Sequence, residues 1–101
     1  MSGGGNTPII REMGYSTAEF CRVLPAAMRD WSVSGGPELW QVATAGGDDV
    51  ATIRIQPMPE RAMGSLRVPV LAVTIDLAAA SPDRAGEFVH RFERGFHRGG
   101  G

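Results

Sequence analysis

The side chains best suited to metal or proton chemistry are His90 and His97, and both fall in what reads as one helix near the end of the chain. Seven residues return a helix to nearly the same face. At about 1.5 Å of rise per residue the two rings start about 10 Å apart, whereas ligands of one zinc ion sit about 2 Å from it. Two surface histidines are expected, with no metal site and no cofactor. Cys21 has no base beside it and borders an apolar stripe, so it reads as a small core residue; its reactivity is left open. No serine stands in a nucleophile-elbow context, and no Gly-rich segment opens a helix directly after a strand with phosphate-loop spacing. Asp48 and Asp49 sit where a hairpin turn favours Asp for backbone reasons. Asp76, near the end of an apolar strand, would need Arg54 or Arg67 as partner if buried. Nothing assembles into a catalytic set, and the reading is non-catalytic.

Charge has more shape than chemistry does. Between positions 84 and 98 stand Arg84, Arg91, Arg94 and Arg98 against Glu87 and Glu93, while positions 31–60 hold Arg54 against Glu38, Asp48, Asp49 and Glu60. Arg91, Arg94 and Arg98 recur at helical spacing and share a ridge with His97. This ridge is either a solvated face favoured by the helix dipole or a site for a small molecule or anion.

Several elements position these residues. Ser16-Thr17-Ala18-Glu19 fits a capping box, and Tyr15 with Phe20 occupies the positions of a hydrophobic staple. Phe20, Val23, Leu24, Ala27, Met28 and Trp31 continue as one stripe across Pro25, which predicts a kinked or two-part helix reaching about Asp30. Ile9 and Ile10 before it read as a short extended segment, and residues 34–37 as a loop. Residues 39–44 and 50–56 read as two strands joined by the Gly- and Asp-rich turn 45–49. Trp40, Val42, Ala51, Ile53 and Ile55 face one way, and Gln41, Thr52, Arg54 and Gln56 the other. Residues 57–65, with two prolines and Gly64, read as a connector, and residues 66–77 as a third strand. That strand is apolar on both faces, with Leu71, Val73, Ile75 and Leu77 on one and Leu66, Val68, Val70 and Ala72 on the other. Pro69 places its early part at an edge or a bulge. Ser81-Pro82 caps the last helix, whose buried stripe is Ala85, Phe88, Val89, Phe92 and Phe96.

The 101 residues fit one domain, expected over residues 9–98 between a flexible tail at 1–8 and a glycine tail at 99–101. The last residues, Arg98-Gly99-Gly100-Gly101, are similar to the glycine ends of ubiquitin-like proteins and sulfur carriers; that family implies a β-grasp, whereas here the tail follows a helix. A net charge of −1 argues against a general nucleic-acid binder, whose affinity comes from neutralising phosphates. The single cysteine excludes an internal disulfide, and no apolar run is long enough to span a bilayer. A cytoplasmic location is expected. All ten basic residues are arginine, the bias of a GC-rich, bacterial coding sequence.

The expected fold is therefore a two-layer α+β domain of order α-β-β-β-α: an antiparallel three-stranded sheet with two helices packed on one face. The expected function is a small interaction or accessory protein. Its third strand has more apolar positions than one layer of helices can cover, which points to a protein partner or a second copy held at Leu66, Val68, Val70 and Ala72.

Overall fold

The computed structural model describes residues 7–97. Its elements run β1 (Ile9–Met13), α1 (Thr17–Met28), β2 (Ser32–Gly35), β3 (Leu39–Ala43), β4 (Asp49–Met63), β5 (Leu66–Asp76) and α2 (Pro82–Gly95). The strands form one antiparallel sheet in the order β1-β5-β4-β3-β2. The α+β class stands, but the sheet has five strands where three were expected. Ile9 and Ile10 read as only a short extended segment and residues 34–37 as a loop, whereas the structure has Ile9–Met13 and Ser32–Gly35 in the sheet. Both are short strands at the sheet's two edges, where neither needs the long apolar alternation that marks a central strand.

The third correction concerns residues 57–63, which continue β4 past its prolines instead of forming a connector. The Ile55 N–H is given to the Glu38 carbonyl, on the β3 side. Pro57, two residues on, faces the same side beyond the last β3 pair at Leu39, so its missing N–H forfeits no ladder bond. A register shift between Met58 and Arg61 then takes up one extra residue of β4. Since β1 ends opposite Leu71 and β3 opposite Arg54, the rest of β4 and β5 is a two-stranded arm. It extends about 20 Å, taking about 3.4 Å for each of the six steps from residue 57 to residue 63, and contributes to a long axis of 46 Å.

The helices begin where the sequence indicates. Ser16 Oγ accepts from the Glu19 N–H (3.1 Å), and Glu19 Oε1 accepts from the Ser16 N–H (2.9 Å). Ser81 Oγ accepts from the Arg84 N–H, with Pro82 in the first turn of α2. Tyr15 and Phe20 are joined through Phe96, which meets Tyr15 edge-on and stacks on Phe20 at 4.8 Å. Helix α1 is unbroken through Pro25 and ends at Met28, two residues short of the expected limit. Leu24 and Met28, one before and three after the proline, are wholly buried and hold the turn to the core.

Both helices contribute to a single core on one face of the sheet. Phe20, Leu24 and Met28 of α1 and Phe88 and Phe92 of α2 join Trp40, Val42, Ile53, Ile55, Leu71, Val73 and Ile75 in one buried cluster. Burying such side chains is the main stabilisation, at about 1.5–3 kcal/mol each before chain entropy is subtracted. The helices touch where Gly95 meets Ala27: a Cβ at Gly95 would collide with that of Ala27 and lie 2.9 Å from its Cα. At the β2–β3 turn, the Trp40 ring lies 2.5 Å from where a Gly36 Cβ would be, and Gly36 has a φ of 91° that favours glycine.

Candidate functional site

Directly paired residues of an antiparallel sheet point to the same face, so the register maps the side that carries no helix. One row across this outer face reads Ile10, Thr74, Arg54, Leu39. The next holds Glu12, Ala72 and Gln56, and the arm continues with Val70 opposite Met58, Val68 opposite Arg61 and Leu66 opposite Met63. Among the described residues, the large apolar side chains left exposed are Ile10, Leu39, Met58, Met63 and Leu66. Every one is in these rows, and none is on a helix.

The four β5 residues expected at a contact surface differ in exposure. Leu66 is 67% exposed, Val68 and Ala72 are half-buried, and Val70 is buried although it lies outside the main core. Val70 is covered locally. The Arg61–Glu12 ion pair (3.2 Å) joins β4 opposite Val68 to β1 opposite Ala72, and so spans the Val70 position between them. Both partners of that pair are exposed, so it adds at most about 1 kcal/mol and makes a removable cover. Reading the sequence missed Met58 and Met63, because the prolines beside Met58 hid the strand that carries them; their apolar character within a polar stretch was the available signal.

The arm is closed to strand addition. Pro57 and Pro59 lie along the open edge of β4, and Pro69 lies on β5 beyond the last β1 pair. Proline on an open edge blocks pairing with another chain's strand. Any contact made by the arm is therefore made by its face.

On α2, the residues of the arginine ridge have separate surroundings. Arg91 is 16% exposed, and its guanidinium lies 3.9 Å from the centre of the Trp31 ring. It donates to the Met28 carbonyl (2.6 Å), to Asp30 Oδ1 (2.9 Å) and to Glu87 Oε2 (2.9 Å). This cation therefore caps the carbonyl end of α1 and ties it to α2. Burial opposes its charge, but the hydrogen bonds to Asp30 and Glu87 outweigh that and raise its pKa. The Asp30 carboxyl is held below the ordinary carboxylate value, chiefly by its hydrogen bond with Arg91.

Arg94 is exposed and lines an open cleft of about 330 Å³ with Ala26, Ala27, Arg29, Glu87, His90, Arg91 and Gly95. His97 is exposed one turn on, and Arg98 lies outside the described residues, as do residues 1–6 and 99–101 of the expected tails. A larger groove of about 630 Å³ runs between β1 and α2, walled by Met13, Tyr15, Val68, Phe92 and Phe96 and crossed by the Arg11–Glu93 ion pair (2.7 Å).

The remaining candidates are accounted for locally. Asp76 is exposed, and its carboxylate accepts the Ala78 N–H (2.8 Å), a turn-forming bond at the strand end. Asp48 exchanges backbone and side-chain bonds with Thr44 within the β3–β4 turn. Cys21 is half-buried at the margin of the core. Among the described residues no group of three or more His, Cys, Asp or Glu side chains gathers to hold a metal ion, and no helix is long and apolar enough to cross a membrane. No family model, curated protein or solved structure matches the chain.

Proposed function

We propose that this protein is a non-catalytic interaction module that self-associates through the helix-free face of its sheet, centred on the β4–β5 arm. The observation that carries the reading is the sorting of exposed apolar side chains: Ile10, Leu39, Met58, Met63 and Leu66 all fall on that face. Apolar residues scattered singly over a surface need no explanation, but Met63 pairs with Leu66 and Met58 with Val70, and with Val68 and Ala72 they follow one another along the face of the arm, crossed by the Arg61–Glu12 ion pair. A two-stranded ribbon is marginal in water unless a third strand or a packed face supports it. A second copy laid face to face would supply that support, since the prolines bar edge-to-edge growth. A bacterial cytoplasm suits the arginine-only composition and the single cysteine, and belongs to the same proposal.

Light scattering across a concentration series is the test. The wild-type chain is expected to approach twice its monomer mass at high micromolar concentration, and the double variant Met58→Glu/Leu66→Glu to stay monomeric with an unchanged circular dichroism spectrum. A wild-type chain that remains strictly monomeric overturns the reading.

A further inference from the structure

We infer that the cleft between the end of α1 and the last turns of α2 binds a compact multivalent oxyanion, held by Arg29 and Arg94, with His90 in the same lining. This site is distinct from the sheet face, because it lies on the helical layer. The small residues Ala26, Ala27 and Gly95 let the helices touch, and that contact brings the residue after α1 beside the cationic side of α2. His90 and Arg94 are four residues apart on α2 and line the cleft together. Arg29 and Arg94 make no hydrogen bond or ion pair among the described residues, whereas the one carboxylate in the lining, Glu87, is already engaged by Arg91 and Arg84.

Two features remove the obvious objections. The carbonyl end of a helix repels anions, but here the Met28 carbonyl accepts from Arg91 and that end is met by a guanidinium. Arg29 itself stands at φ 59°, a backbone region that favours glycine. An arginine there carries backbone strain that glycine, the usual residue at a helix end, would avoid. Paired arginine forks match the geometry of carboxylate and phosphate groups, and the space suits an anion of a few such groups.

Isothermal titration calorimetry with two probes, citrate and inorganic pyrophosphate, tests this and separates carboxylate from phosphate preference. At least one probe should bind the wild-type chain, and Arg29→Gln and Arg94→Gln should each weaken it by roughly tenfold, as expected for loss of a charge-assisted hydrogen bond. Arg54→Gln, on the outer sheet face, should leave binding unchanged. The double variant Met58→Glu/Leu66→Glu should also bind normally, so the cleft stands or falls independently of self-association. Absence of binding for both probes overturns the inference, as does binding indifferent to Arg29 and Arg94. Arg29→Gly adds a readout of strain: it should raise the melting temperature while weakening the anion.

Discussion

The two faces of the sheet are made from the same strands, yet the inner face is finished and the outer face is not. Along β5, Leu71, Val73 and Ile75 are buried under both helices, while Leu66, four residues before Val70 on the alternate face, stands in water. The inner residues have fixed partners that include four stacked or tilted phenylalanine contacts among Phe20, Phe88, Phe92 and Phe96. The outer residues have an exposed ion pair for cover and one another for neighbours. Apolar content alone does not distinguish a core from a contact surface; what distinguishes them is whether the chain supplies the opposing layer.

Substitutions on the two faces should therefore differ in kind. The largest effect is expected of Phe88→Ala, which empties a fully buried ring site: about 3–5 kcal/mol of stability lost in chemical denaturation. Gly95→Ala should lose about 1–3 kcal/mol through the collision with Ala27, although alanine is the better helix former by about 1 kcal/mol. A gain in stability there would show that the helices do not cross where described.

The ion pair between the helix ends should matter less and should show in its pH dependence. The folded pKa of Asp30 is lowered, so its contribution is present above the ordinary carboxylate value and is lost as pH falls through the depressed one. The difference in unfolding midpoint between wild type and Asp30→Asn should be constant near neutral pH and close in acid. In an Arg91→Ala background it should shrink, because the hydrogen bond with Arg91 is the largest cause of the lowered value, with a smaller part left to the Asp30 backbone hydrogen bond and to Arg29. Smallest of all, Leu66→Ser should change the stability of the monomer by less than about 0.5 kcal/mol while reducing self-association. A large loss of monomer stability would place Leu66 in the core and dissolve the contrast between faces.

How legible this was depended on local physics. Ser16 with Glu19 and Ser81 with Pro82 announce helix starts because capping uses side chains within three residues, and both caps form as read. The inner alternation of residues 40, 42, 51, 53 and 55 was equally plain. The edge strands were not: Ile9–Met13 is held by β5, about sixty residues away, and Ser32–Gly35, although it pairs with the adjacent β3, is too short and polar to carry periodicity of its own. The arm was hidden by Pro57 and Pro59, which forbid a central strand but not an open edge. For the site, the doubled apolar faces of residues 66–72 were visible, whereas the partner methionines were not. The engagement of Arg91 with Trp31, Met28 and Asp30 links residues about sixty positions apart, and no helical spacing reveals that.

Hydrogen–deuterium exchange followed against protein concentration tests the unfinished outer face most directly. The non-proline amides of residues 58–63 and 66–70 should exchange rapidly in dilute solution and slow markedly as concentration rises, while those of Ile53, Val73 and Ile75 stay protected throughout. Exchange in the arm that is equally fast at every concentration would mean that no second copy covers it, and would contradict the account.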